Sequence, residues 1–239
     1  MKLKTSLLAM TAAGLIAGFG GCHRLKAADI YSPVIDPANF SSVIDNTYFK
    51  MPAGKVMAYE GQTPDGFENS EISISGETRE IMGVKTLIID DHVTMDGVIH
   101  EHTRDFVAQD KDGNVWYFGE EVDNYAKGKL KDHHGSWMAG VKGALPGIWM
   151  KSKNTVGDSY RQDYLKGEAE DMAKIVDLDA TVTVKAGSFQ HCLKVFESTP
   201  LEPDAKEHKY YCPGAAGTTL VEDMKENSRL DLIKVSGGG

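Results

Sequence analysis

Val98-Ile99-His100-Glu101-His102-Thr103-Arg104-Asp105-Phe106-Val107-Ala108-Gln109-Asp110-Lys111-Asp112-Gly113-Asn114-Val115-Trp116-Tyr117-Phe118-Gly119 is the stretch that decides the fold. Its two ends are rich in β-branched and aromatic residues, which suit a half-buried pleated surface. Between them, Asp110-Lys111-Asp112-Gly113 supplies the aspartates and glycine of a tight turn. A connection this short forces the two runs to pair antiparallel.

The pattern repeats outward in both directions. Strands are predicted upstream over 55–60, 70–75, 79–82 and 85–90, with turns at Gly76, Gly83 and Asp96-Gly97. Downstream, after a looser middle over 125–158, they are predicted over 159–165, 173–184, 189–198, 206–212, 218–224 and 230–235. Short strands separated by turn residues at roughly ten-residue intervals are the signature of an all-β domain. A long meander with one apolar face needs closure or a cover to protect its edges. The expected fold is therefore mainly β, an antiparallel meander forming a strongly curved sheet or open half-barrel covered by a loop or short helix. Short helical turns are predicted over 168–173 and 38–44.

The N-terminus predicts export. Met1-Lys2-Leu3-Lys4 carries two cations, and the apolar run from Leu7 to Phe19 is too short to span a bilayer comfortably. It ends at Phe19-Gly20-Gly21-Cys22, which resembles the bacterial lipoprotein processing box. The organisation expected is a signal peptide over 1–21, a tether and lead-in segment over 22–54 attached to lipid through Cys22, and one β domain over 55–239. A second reading cleaves near Lys26-Ala27-Ala28 and discards Cys22. The location expected is the periplasm or the cell surface, on a membrane.

Using Cys22 for lipid leaves Cys192 and Cys212, an even number, in a compartment that permits disulfides. A turn centred on Glu202, in Pro200-Leu201-Glu202-Pro203-Asp204, places those two cysteines opposite one another on paired strands. A bridge is expected, with a free or metal-bound thiol pair as the alternative.

Removing residues 1–21 takes away Lys2 and Lys4 and no acid, which moves the formal charge from −9 to −11. Such a surface repels nucleic acid, so none is expected as partner. The sequence holds no paired acid and base, no Gly-x-Ser-x-Gly elbow and no phosphate-binding glycine loop. Neither an enzyme nor a bound cofactor is expected.

Asp105 to Gly119, with Gly135-Ser136-Trp137-Met138-Ala139-Gly140-Val141 and Tyr160-Arg161-Gln162-Asp163-Tyr164, resembles a group of uncharacterised bacterial secreted proteins and lipoproteins. Gly187-Ser188-Phe189 through Cys192, then Tyr210-Tyr211-Cys212-Pro213-Gly214, is similar to the strand pair that ends many periplasmic half-barrel lipoproteins. The resemblance implies a β fold and an exported location, and no activity.

Candidate sites are few. Asp110, Asp112 and Asn114 match positions one, three and five of a calcium loop, and Glu121 matches position twelve. Val115 stands where that loop needs glycine and both flanks read as strands, so a hairpin turn is the preferred reading. His100 and His102 project from one strand face, while His133-His134, His191 and His208 match no zinc spacing. The run Glu168-Ala169-Glu170-Asp171 reads as a solvated loop, with a cation site as the alternative.

Trp116 and Phe118 alternate on one strand face, expected to be the concave interior. Trp137, Met138 and Trp149 fall in a segment whose glycines and proline argue against regular structure. Large apolar side chains there either plug the open end of the barrel or form a lid over an apolar pocket. These five residues are the expected ligand-binding set. The function expected is non-catalytic binding of a hydrophobic or amphipathic small molecule. Two alternatives stand beside it: an interaction lipoprotein docking an envelope partner, and a periplasmic metal-ion binder using Asp110, Asp112 and the acidic run.

Overall fold

The structure, a computed structural model, describes residues 31–238. Cys22 and the expected signal peptide lie outside the described residues. After a single 3-10 turn at Pro37–Asn39 come β1 (Phe40–Ser41), β2 (Asp45–Asn46), β3 (Phe49–Lys50), β4 (Lys55–Thr63), β5 (Gly66–Ile74) and β6 (Thr78–Ile81). The long hairpins follow: β7 (Val84–Met95), β8 (Val98–Asp110) and β9 (Val115–Ala126). Short strands fill the predicted loose middle: β10 (Lys129–Asp132), β11 (Trp137–Met138), β12 (Leu145–Met150), β13 (Ser159–Arg161) and β14 (Asp163–Tyr164). The chain ends with β15 (Met172–Val184), β16 (Gly187–Thr199), β17 (Glu202–Tyr211), β18 (Thr218–Asp223) and β19 (Ser228–Ser236).

The turns explain why neighbours in sequence pair. Met82-Gly83, Asp96-Gly97 and Lys127-Gly128 each place two successive residues at positive φ, the geometry of two-residue hairpins that follow the twist of their strands. The meander is antiparallel throughout and nearly closes on itself: β19 pairs with β4, and at the other end β9 pairs with β12, β12 with β14, and β13 with β15. Closure at this last junction depends on a missing side chain. A Cβ on Gly147 would lie 2.3 Å from the backbone carbon of Gln162, between β13 and β14. Beyond it β11 pairs with β9 alone, which leaves a seam beside the turn that follows β14.

Some local expectations are corrected. No helix forms at 168–173, where Leu165 and Ala169 instead bridge across a tight turn. At 38–44 only the 3-10 turn is helical before the chain enters β1. Part of the lead-in segment belongs to the core: Ile44, Phe49 and Met51 are buried, and Phe49 packs on Trp149 and Tyr211.

The barrel interior has two zones. Around Leu87, Val107, Val115, Tyr117 and Trp149 it is apolar and aromatic. Towards Glu101 on β8 and Glu197 on β16 the inward positions are carboxylates. Among the described residues ten Asp and Glu side chains are buried, against one buried cation, Lys209. No helix among the described residues is long and apolar enough to cross a membrane.

Candidate functional site

The acidic zone is assembled by cross-strand pairing. Asp105 on β8 faces Glu120 on β9, and Glu197 on β16 faces Glu207 on β17. The ammonium of Lys209 lies 2.8 Å from Glu197 and 3.6 Å from Glu207. Burial pulls its pKa down, but these two carboxylates outweigh that and hold it protonated. Tyr211 and Gln162 donate hydrogen bonds to Glu197 as well.

Several of the other acids are driven upward, burial being the largest cause in each. Burial, and next the charge of Asp91, pushes Glu68 up to about 8. Burial raises Asp91 to about 7, although Ser70 donates to it, and raises Asp163 and Glu207 to about 7. Asp105 and Glu120 are both driven well above the carboxylate range, by burial first; Tyr117 donates to Asp105 and partly opposes this.

Glu120 is where this interior reaches the seam. It is Cα partner to Trp137 on β11, and both side chains line a pocket of about 320 Å³. Trp137, Met138, Val141 and Leu165 form its apolar walls; Arg79, Glu121 and Glu168 stand at its polar side. That volume is at the small end of the ~300–1,000 Å³ range of small-molecule sites. A second hollow of about 210 Å³, which shares Ser136, Trp137 and Glu168 with it, is lined by His133 and His134. Two buried polar atoms here have no hydrogen-bond partner among the described residues, the acceptor Oε1 of Glu120 and the donor Nε1 of Trp137. Buried polar groups are as a rule paired, so both are exceptional.

The backbone makes room for this arrangement at Gly119. Its φ is +141°, and a Cβ there would lie 2.6 Å from the carbonyl oxygen of Trp137. Only glycine lets β11 dock this closely and bring Trp137 over Glu120.

The expected ligand-binding residues divide three ways. Trp137 and Met138 line the pocket. Trp149 sits one ring deeper, packed on Tyr117, which in turn meets Trp137 edge-on. Trp116 and Phe118 are on the opposite face from the one expected: they pack edge-on against Phe40, while Tyr117 points inward to Asp105. Phe118 is the extra residue of a bulge opposite Phe106 and Val107. The 135–150 segment thus acts as core plug through Trp149 and as pocket wall through Trp137.

The calcium-like positions do not converge. Asp110 accepts from Asn114 and from the Trp116 indole, as a turn cap. Asp112 is exposed, and Glu121 pairs with Arg79 and Arg104. In the acidic run, Glu170 caps the turn at Gly167 and Asp171 is buried. His133 pairs with Asp123, His191 with Asp179, and His208 packs on Phe196. Glu120 was not singled out in the sequence; the available signal was Gly119 ending an aromatic strand run, since a strand glycine often marks close backbone approach.

No protein-family model matches the chain. No curated protein matches it either. Among solved structures, a "putative lipoprotein" from Parabacteroides distasonis ATCC 8503 is similar over 80% of this chain and 99% of its own, at 14% identity and a TM-score of 0.43.

Proposed function

We propose that this chain is an exported, lipid-anchored envelope protein that holds a small amphipathic ligand in the seam pocket without transforming it. Export and anchoring rest on the N-terminal sequence, with its cationic start, apolar run and Cys22. Binding rests on one observation: a buried acceptor on Glu120 and a buried donor on Trp137, both unpaired, on residues that line the same apolar-walled pocket. Leaving such atoms unpaired costs roughly 1–3 kcal/mol each, which a ligand recovers by pairing both.

The same pair sets the ligand's chemistry. A hydroxyl or amide head donates to Glu120 and accepts from the indole, while its apolar body lies against Met138, Val141 and Leu165. A carboxylate or phosphate head carries no proton to offer Oε1 of Glu120, leaves that acceptor unpaired and is disfavoured.

Native mass spectrometry of the chain without residues 1–22, purified from its own host without detergent, tests this. A non-covalent mass removed by organic extraction and carrying a hydroxyl or amide head is expected. A bare polypeptide mass, or a co-purifying fatty acid, would overturn the reading.

A further inference from the structure

On the outer face of the β7–β8 hairpin, away from the seam pocket, three metal-ligating side chains meet. His92 and His102 are direct cross-strand partners, and their rings stack with centroids 4.0 Å apart and planes 12° from parallel. Asp90 lies two residues before His92, on the same face of β7, and its carboxylate is 3.1 Å from Nε2 of His102. One ligand atom from each of the three lies within 4.8 Å of the others. The ligand atoms of a tetrahedral zinc site stand about 3.3 Å apart, so His92 needs only a small ring movement to complete the set.

The sequence pairing of His100 with His102 fails for a specific reason. Glu101 pairs with Val93 and Ile99 with Thr94, so a bulge leaves His100 without a register partner and brings His92 opposite His102 instead. The nearby charges leave the site open to a cation. Arg104, the register partner of Asp90, turns to Glu121. Glu71 is the partner of His92 on β5, and Asp123 is the partner of His102 on β9, so carboxylates flank the imidazole pair on both sides.

We propose that Asp90, His92 and His102 bind a divalent first-row transition metal such as Zn²⁺, with at least one coordination position open to solvent. Two imidazoles and one carboxylate suit such metals, whereas calcium and magnesium take oxygen ligands almost alone. The site shares no residue with the seam pocket, and the proposal does not rest on the ligand proposed there.

Calorimetric titration of the mature chain with ZnCl₂ is the test, supported by the electron paramagnetic resonance of the Cu²⁺-loaded chain. One equivalent of Zn²⁺ is expected to bind. His92→Gln and His102→Gln each weaken it by at least the roughly 10–100-fold that loss of outer-shell partners alone costs, while His133→Gln leaves it unchanged. The unsubstituted Cu²⁺ chain should show coupling to two imidazole nitrogens, a readout that does not depend on any variant folding. Absence of stoichiometric binding, binding undiminished in the double variant, or coupling to fewer than two nitrogens would overturn the proposal.

Discussion

At the scale of single residues, the unusual groups are inward-facing acids that keep their protons. Glu68 is raised from 4.5 to about 8, by burial first and then by Asp91, Glu207, Glu101 and Glu226; Asp91 and Glu207 rise to about 7. An acid with a raised folded pKa binds its proton more tightly in the folded than in the unfolded state. Its stabilising effect is whole below the unfolded value and is lost as pH rises through the folded one. Stability in urea should therefore fall between about pH 5 and about pH 8. Glu68→Gln should flatten that fall and add about 1–3 kcal/mol at the alkaline end. A flat profile for the unsubstituted chain would contradict the buried, protonated state. The same acids hid the strand faces from the sequence. In Glu101-His102-Thr103-Arg104-Asp105 every residue is polar, so hydrophobic alternation cannot tell that Glu101, Thr103 and Asp105 point inward. Trp116 and Phe118 lie on the face opposite to the expected one for a related reason: aromatic side chains pack on both sides of β9.

At the scale of elements, the hairpins were legible because turn chemistry fixes register locally. Leu193 pairs with Tyr211 and Glu197 with Glu207, the register expected, although the turn falls at Pro200-Leu201 with Thr199 opposite Glu202 rather than centring on Glu202, and a bulge in β17 before Lys206 restores the pairing; Cys192 and Cys212 are bridged with Cα atoms 4.2 Å apart. Both cysteines are fully buried, and the bridge closes a separation of 20 residues. Its reduction should cost about 3 kcal/mol by loop-closure entropy, read as a lower urea midpoint with dithiothreitol in a chain carrying only these two cysteines. An unchanged midpoint with both thiols confirmed free would contradict it. The strands β10 to β12 were not legible. They are two to six residues long, and they attach along the outer edge of β9 through tertiary pairing rather than through their own periodicity. Gly119 is the hinge of that attachment. Gly119→Ala should push β11 away, lower stability by about 1–3 kcal/mol through overpacking, and weaken the near-ultraviolet dichroism of Trp137. Retention of both would show that β11 docks without the close approach.

At the scale of the whole molecule, the meander and its curvature followed from strand spacing and short turns, while the degree of closure did not. Closure is decided by contacts between distant segments, such as Gly147 against Gln162 and β19 against β4, which leave no periodic trace in the sequence. The seam left beside β11 is what gives a nearly closed, acid-lined barrel its pocket. The most direct test of that account is a tryptophan-fluorescence titration with 1-octanol and, in parallel, with octanoate, repeated on Trp137→Phe. The account predicts a saturable change with octanol, none with octanoate, and loss of the octanol response in the variant. No saturable response to octanol, or an equal response to octanoate, would contradict it.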